Sequence, residues 1–137
     1  MGTNVEVLQR YLQSIDQHDE DGVRRAFAES AQVRAPGVAL NDVGEIASWI
    51  GVFWRAFPDL RHEILGSVEA DGTAAAEVRF TGTHTGPLAS PDGDIPATGK
   101  PFDFTYTHFT RFSDGVIAED HVHFDQLTFL TQLGLAG

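Results

Sequence analysis

The sequence contains no cysteine among its 137 residues. Disulfide bonds, thiolate nucleophiles and sulfur-ligated metals are therefore excluded, and any chemistry has to use oxygen and nitrogen groups. A run of about eighteen apolar residues, as needed to span a membrane, is also missing. Residues 1–6 lack the basic stretch and apolar core of a secretory signal. We therefore expect a soluble, cytoplasmic protein with no membrane partner.

Basic residues are scarce. Nine lysines and arginines stand against twenty aspartates and glutamates, which gives a formal net charge of −11. This charge repels a phosphate backbone, and no basic stripe offsets it, so nucleic acid is excluded as a partner. We interpret the acidic excess as a source of solubility. The length and the 42% apolar content predict a single domain over residues 1–137 with one core.

Helical periodicity dominates the N-terminal part. A capping box of Thr3 and Glu6 opens a predicted helix over residues 3–15. Its apolar positions fall on one stripe: Leu8, Tyr11, Leu12 and Ile15. A shorter helical pattern follows Asp19, with Val23 and Phe27 four residues apart. These patterns predict two consecutive helices.

A third helix is predicted after a short strand and turn over residues 31–37. Asp42 and Glu45 have capping-box spacing at its start, and Pro58 prevents its continuation. Its apolar stripe consists of Ile46, Trp49, Ile50, Phe53 and Phe57. The helix therefore presents a strongly aromatic face.

After Pro58 the apolar period becomes two, which is typical of strands with one buried face. Four strands are predicted, over residues 60–68, 74–84, 101–112 and 116–124. Their inward positions include His62, Ile64, Val68, Ala76, Val78, Phe80, His84, Phe102, Phe104, Tyr106, His108, Thr110 and Phe112. Residues 85–100 hold three of the six prolines and predict an ordered loop. A final helix follows the N-cap Asp125, with Leu127, Leu130 and Leu133 facing inward and Gly134 as the stop.

This order of elements predicts an α+β cone, in which N-terminal helices pack on a strongly curved antiparallel sheet and leave a cavity between them. Specific strings then point to a family: Phe57-Pro-Asp-Leu, Phe80-Thr-Gly-Thr-His-Thr-Gly-Pro-Leu, Ile95-Pro-Ala-Thr-Gly-Lys-Pro-Phe, Arg111-Phe-Ser-Asp-Gly-Val-Ile-Ala-Glu, Phe124-Asp-Gln-Leu and Gln132-Leu-Gly. In these strings and their order the chain resembles the SnoaL-like polyketide cyclases, or ester cyclases, of the nuclear transport factor 2-like superfamily.

The resemblance implies an intramolecular ring closure in natural-product or antibiotic biosynthesis that uses neither a cofactor nor a metal. It also implies a homodimer formed through the outer face of the sheet. In aldol cyclases of this kind a histidine on the third strand and an aspartate on the fourth handle the proton from carbon and the enolate oxygen. His108 matches the histidine, but the aspartate position is Val122 here. Another carboxylate has to be sought among Glu119, Asp120 and Asp125.

Strand alternation selects Asp120. It shares a face of the fourth strand with apolar residues only, namely Val116, Ala118, Val122 and Phe124. A carboxyl group withdrawn from water is suited to general acid or base catalysis, so His108 and Asp120 are the predicted catalytic pair. Asp125 is interpreted as a helix cap.

The turn at Asp114-Gly115 decides whether this pair can form. A three-residue loop with a glycine bulge places His108 opposite Val122 and Thr110 opposite Asp120, which makes His108 and Asp120 diagonal neighbours. A two-residue turn instead places His108 opposite His121 and creates a cluster of His108, His121 and His123. We favour the bulge because it buries valine and phenylalanine. His121 and His123 lack a third ligand at an obvious spacing, which disfavours a metal site.

Aromatic residues dominate the predicted inner surface and indicate a flat, apolar, polyketide-like ligand. The predicted substrate contacts are Tyr11, Trp49, Phe53, Phe80, His84, Phe104, Tyr106, Val122 and Phe124. The hydroxyls of Tyr11 and Tyr106 are suited to orient a substrate carbonyl.

Three functions remain open at this point. The leading hypothesis is a cyclase or isomerase that uses His108 and Asp120. An epoxide-opening cyclase or hydrolase on the same fold is the second hypothesis. A non-catalytic domain that binds a small ligand is the third, and the loss of the family aspartate favours it.

Overall fold

The computed structural model describes residues 4–136, so Thr3 of the predicted capping box lies outside the described residues. Within this range the helices are α1 (Asn4–Asp16), α2 (Glu20–Arg25), α3 (Val43–Ala56) and α4 (Gln126–Gln132). The strands are β1 (Phe27–Ala35), β2 (Val38–Leu40), β3 (Arg61–Ala70), β4 (Thr73–Thr83), β5 (Pro101–Ser113) and β6 (Val116–His123). No helix of residues 4–136 is long and apolar enough to cross a membrane.

The strands form one curved sheet in the order β2-β1-β6-β5-β4-β3, against which the helices pack. All neighbouring strands are antiparallel except β1 and β6, which run parallel. The predicted α+β architecture is confirmed, with a sheet that is mostly antiparallel. Phe27 was predicted on the second helix, but it begins β1, because Ile117 N–H bonds to the carbonyl of Ala26 at 2.8 Å and draws the chain to β6.

Caps fix the ends of α3 and α4 as predicted. The Asp42 carboxylate accepts from the Glu45 N–H at 2.8 Å, and the Glu45 carboxylate accepts from the Asn41 N–H at 2.7 Å. Asp125 accepts from the Thr128 N–H at 3.1 Å. The prediction that Leu127 faces inward is wrong: it is 63% exposed, because this short helix buries Phe129 and Leu133, which lie four residues apart.

A bulge in β3 reverses the predicted faces of its second half. Ile64 lies opposite Val78 and Gly66 opposite Glu77, so Leu65 is the extra residue. Beyond it Val68 lies opposite Ala75 on the outer face and is 71% exposed, contrary to the prediction that Val68 is buried. Strict alternation therefore holds only up to the bulge.

The β5–β6 hairpin reaches the predicted register by a different route. Ser113 pairs with Val116, so Asp114-Gly115 is a two-residue turn with φ of 53° and 82°. Ala118 is the extra residue of a bulge on β6, since Phe112 pairs with Ile117 but Arg111 with Glu119. The bulge restores the pairing of His108 with Val122 and of Thr110 with Asp120. Before the bulge the buried residue is Ile117, whereas Val116 and Ala118 are only half-buried. The prediction that Val116 and Ala118 share the inner face with Asp120 is therefore wrong.

The segment between β4 and β5 is ordered, as predicted, and is anchored to the end of α3. The backbone N–H groups of Thr85 and Gly86 both donate to the Ala56 carbonyl at 3.1 Å. This carbonyl lies in the last turn of the helix and has no partner within it. An ion pair between Arg55 and Asp94 at 3.0 Å adds a second contact.

Gly86 allows this close approach, because a β-carbon at its position would overlap the carbonyl oxygen of Arg55. We expect Gly86→Ala to lower the free energy of unfolding by about 1–3 kcal/mol through overpacking. Gly51→Ala is the matched control: it lies within α3, nothing lies within 4 Å of its added carbon, and it should stabilise by about 0.5–1 kcal/mol. Urea titrations of both variants test the contrast, and equal effects would contradict it.

Candidate active site

A largely apolar cavity lies between α1, α3, α4 and the inner face of the sheet. Its volume is about 50 Å³, which leaves room for only a few water molecules. The lining residues are Tyr11, Leu12, Ile15, Trp49, Ile50, Phe53, Leu60, His62, Phe80, Phe104, Tyr106, His108, Val122, Phe124 and Phe129. The polar side-chain groups of this lining are therefore two phenols, two imidazoles and the indole N–H of Trp49. A few polar groups within an apolar wall are typical of a small-molecule site.

The first of the imidazoles, His108, is fixed by a buried carboxylate. Its Nδ1 lies 2.9 Å from Oδ2 and 3.1 Å from Oδ1 of Asp120. Thr110 donates its hydroxyl to Oδ1 of Asp120 at 2.9 Å. These side chains are at most 3% exposed. Because an ionised carboxylate only accepts hydrogen bonds, Nδ1–H of His108 donates to Asp120, and Nε2 is left on the cavity side of this pair.

Tyr106 continues this chain of hydrogen bonds. Its hydroxyl lies 2.9 Å from Nε2 of His108. Tyr106 and His108 are two residues apart on β5, so both side chains point to the same face of the sheet. Burial, with smaller contributions from Tyr11, Asp120 and Asp16, raises the pKa of Tyr106 well above its ordinary value. The phenol therefore stays protonated and remains a hydrogen-bond donor at neutral pH.

Tyr11 brings the second phenol to the cavity from α1. Its ring packs edge-to-face on Phe27, with 4.9 Å between the ring centroids. Burial, and to a lesser degree the charge of Asp120, raises its pKa far above the ordinary value. No residue of the described range accepts a hydrogen bond from its hydroxyl. Tyr11 therefore presents a free O–H donor to any ligand in the cavity.

A second imidazole–carboxylate pair joins α1 to β3. Nδ1 of His62 lies 2.6 Å from Oδ1 of Asp16, and the His62 backbone N–H donates to Oδ2 at 2.9 Å. The exposed fractions of the two side chains are 5% and 14%. Burial lowers the pKa of His62, although the nearby Asp16 opposes this shift. His62 therefore favours the neutral form, with the proton on Nδ1 and a lone pair on Nε2.

Sequence patterns alone gave this pair no functional role. Strand alternation placed His62 on an apolar inward face, and the argument used for Asp120 would have selected it as well. Nothing in the sequence marks Asp16, because its contact with His62 spans 46 residues and depends on how α1 packs across the sheet.

Most of the predicted substrate contacts lie at the cavity, and their role in substrate binding stays a prediction. The predicted residues that line it are Tyr11, Trp49, Phe53, Phe80, Phe104, Tyr106, Val122 and Phe124, together with His108. His84 is not among the lining residues. It is fully buried at the end of β4, where the Thr98 N–H donates to its Nδ1 at 3.2 Å and its ring packs on Phe57.

Asp120 also does not line the cavity, although it lies on the predicted face. The His108 ring, which does line it, contacts Asp120 through its far nitrogen. Among residues 4–136 no aspartate or glutamate belongs to the cavity lining. A carboxylate can therefore act on a ligand here only through an imidazole.

The outer face of β6 holds the remaining histidines of this strand. His121 lies opposite Phe109, and its Nε2 is 3.2 Å from Glu119, so the alternative cluster of His108, His121 and His123 is wrong. In the part of the chain that the structure describes, no group of three or more potential ligand side chains has the geometry of a metal site.

Comparison with known proteins places the chain in a family. No curated protein matches the sequence significantly. A candidate SnoaL-like polyketide cyclase from Jannaschia sp. CCS1 shares the fold with a TM-score of 0.85 and 18% sequence identity, over 98% of this chain and 93% of that one. AclR, a candidate hydroxylase from Streptomyces galilaeus, has a TM-score of 0.83 and 17% identity, over 98% of this chain and 86% of that one. IdmH, a candidate polyketide cyclase from Streptomyces antibioticus, has a TM-score of 0.80 and 22% identity, over 96% of this chain and 99% of that one. The sequence model of the SnoaL-like polyketide cyclases matches residues 5–133. The chain therefore belongs to the SnoaL-like polyketide cyclase family.

Proposed function

We propose that this protein is a cofactor-independent cyclase that closes a ring within a polyketide-like substrate. The observation that carries this proposal is the chain of hydrogen bonds from Asp120 through His108 to Tyr106, which ends in an apolar cavity. Such a chain places one mobile proton among groups that exclude water. Membership of the cyclase family supports the same reaction class.

In the proposed reaction the Tyr106 hydroxyl donates to a carbonyl oxygen of the substrate. As a carbon nucleophile attacks this carbonyl, negative charge develops on the oxygen, and a donor already in place stabilises it. Charged His108, with its second N–H on Asp120, donates to the Tyr106 oxygen and replaces the proton that Tyr106 passes on. Tyr11, with its free hydroxyl, holds a second carbonyl of the substrate.

Asp120 is a positioning residue in this scheme. It fixes the ring orientation of His108 and stabilises its positive charge, as the carboxylate of a Ser-His-Asp triad does. This assignment accounts for Val122 at the position of the family aspartate: Val122 contributes to the apolar wall, while the carboxylate lies behind the imidazole. In this scheme β6 still carries a carboxylate, at Asp120 instead of position 122, and this carboxylate acts through His108.

The size of the cavity limits how a substrate enters. A volume of about 50 Å³ is far below the roughly 300 Å³ or more of drug-sized ligand pockets. A ring-forming substrate therefore has to displace side chains of the lining. The aromatic lining residues that are only half-buried can move with the least loss of packing, and they are Trp49, Phe53, Phe104 and Phe124.

Binding without catalysis is the second candidate function, and Val122 is the observation that favours it. Such a protein would bind a flat apolar ligand and release it unchanged. Epoxide opening is less well supported, because in the described range no carboxylate lines the cavity to protonate or attack an epoxide.

The test is a panel of ring-open polyketide-like substrates, flat in part and carrying β-diketone groups, given to the purified protein. Mass spectrometry should find a product that is an isomer of the substrate and that takes up no ¹⁸O from labelled water. Label in the product would instead indicate hydrolysis. His108→Ala and Asp120→Asn should each reduce product formation at least tenfold, and unchanged product from both variants would reject the assignment.

A further inference from the structure

We propose that His62, held by Asp16, is a second catalytic residue of this cavity and removes the proton from the substrate carbon, while the Asp120–His108–Tyr106 chain acts on the oxygen. This inference rests on the proposed ring closure, because it assigns the base that such a reaction needs. It goes beyond the site predicted from the sequence, in which His108 and Asp120 have both roles.

The hydrogen bonds of the two imidazoles favour this division of roles. His108 is bonded at both ring nitrogens, to Asp120 and to Tyr106, so it has no free lone pair for a carbon-bound proton. His62 is bonded only at Nδ1, and no residue of the described range bonds to its Nε2. Of the two histidines at the cavity, only His62 therefore carries an unoccupied basic nitrogen.

The position of His62 suits a substrate held between the two pairs. Its ring stacks on Phe80, with 4.5 Å between centroids and 21° between planes. The Tyr106 ring is close to both imidazoles, with its centroid 6.3 Å from that of His62 and 5.0 Å from that of His108. A substrate oxygen bonded to Tyr106 would therefore lie near both histidines, and in this proposal the neighbouring carbon atoms lie on the side of His62.

The surroundings keep His62 ready to accept a proton. The titratable groups that face it are Asp16 on α1 and His108 and Tyr106 on β5; Glu6 and Arg10 of α1 and the adjacent Glu63 line the groove on its other side. Burial holds its pKa below the ordinary value of an imidazole, and the nearby His108 adds to this shift. Asp16 compensates the charge that His62 gains when it takes the proton, as expected of a base whose orienting carboxylate is in place.

His62 also connects the cavity to solvent. It lines both the apolar cavity and an open polar groove between α1 and β3, which includes Arg10, Asp16 and Glu63. A proton taken up at Nε2 can therefore leave to water in the groove after the reaction. His108 does not line this groove and is 3% exposed, so the two histidines exchange protons with water by different routes.

The proton balance closes. Nε2 of His62 takes the proton from carbon, and the pair of electrons of that C–H bond forms the new C–C bond. The π pair of the attacked carbonyl becomes an O–H bond with the proton from Tyr106, which His108 replaces. His62 ends protonated and His108 neutral, exchange with water restores both, and the product is an isomer of the substrate.

The experiment compares His62→Gln with His123→Gln on the substrate panel. Glutamine at position 62 can still donate to Asp16 but has no basic nitrogen, whereas His123 is an exposed imidazole on the outer face and serves as the control. We expect His62→Gln to lower kcat about a hundredfold or more and to remove the acidic limb of kcat/KM, which in the wild type reflects the lowered pKa of His62. Asp16→Asn should move that limb to lower pH, because Asp16 raises the pKa of His62.

The possible outcomes separate the inference from the proposed function. A wild type that cyclises the panel, with a His62→Gln variant of unchanged kcat and pH profile, overturns the inference and leaves the function intact. A wild type that cyclises nothing contradicts the proposed function. In that case the role of His62 is tested with 2-naphthol, a flat enol analogue. Its binding should shift the ¹⁵N NMR signal of His62 Nε2 and leave the signal of His123 unchanged. An unshifted His62 signal overturns the inference.

Discussion

Asp120→Ala is expected to lower the free energy of unfolding by about 3–5 kcal/mol, the usual cost of removing one partner from a buried ion pair. The variant leaves two donors without an acceptor, Nδ1–H of His108 and the hydroxyl of Thr110. Both side chains are at most 3% exposed, so water cannot replace the carboxylate without opening the core. Chemical denaturation followed by circular dichroism measures the change.

A matched control separates burial from charge. Asp103, on the neighbouring strand β5, makes a two-pronged ion pair with Arg79 at 2.9 and 2.6 Å, but on the exposed side of the sheet. Removing its carboxylate should change stability little, because solvent screens surface pairs and solvates the remaining guanidinium. Asp120→Asn should fall between the two alanine variants, since its amide oxygen still accepts one hydrogen bond. If Asp120→Ala costs no more than Asp103→Ala, the buried pair does not stabilise the fold.

The neighbourhood of His108 and Asp120 could be predicted from the sequence because two errors cancel. The turn is one residue shorter than expected, and the bulge at Ala118 adds that residue back on β6. The alternation of apolar residues indicates which side of a strand is buried. A bulge exchanges the two sides for all later residues of the strand, and it has no signal in the amino-acid composition. The same effect in β3, without a second irregularity to offset it, made the prediction for Val68 wrong.

Alternation gives the side of the sheet on which a residue lies, but not its depth. Asp120 was correctly assigned to the inner face, yet its short side chain ends beneath the His108 ring and away from the cavity. His84 was also correctly predicted to be buried, but the loop that follows it folds over its ring and binds it through Thr98. The Asp16–His62 pair shows the related limit that a contact between a helix and a distant strand has no local signal.

Tyr106→Phe is expected to lower kcat by about 10²–10³-fold, as the removal of one oxyanion donor typically does. The variant keeps the aromatic ring and its packing against Phe80 and Phe104, whose centroids lie 5.9 and 6.3 Å from that of Tyr106. It loses only the hydroxyl that joins His108 to the substrate oxygen. Thermal unfolding and ligand affinity should therefore change much less than kcat, which steady-state kinetics with the cyclised substrate measures.

The strongest form of this prediction is a double-mutant cycle. If Tyr106 and His108 act as one proton relay, His108→Gln should lower kcat by a factor similar to that of Tyr106→Phe. The double variant should then be no slower than the slower single variant, because either change alone already breaks the chain of hydrogen bonds. Tyr11→Phe combined with His108→Gln should instead be additive, since no hydrogen bond joins Tyr11 to His108. Additive losses for Tyr106 and His108 would mean that the two groups contact the substrate independently, and the proton would then have to reach the oxygen from His108 directly.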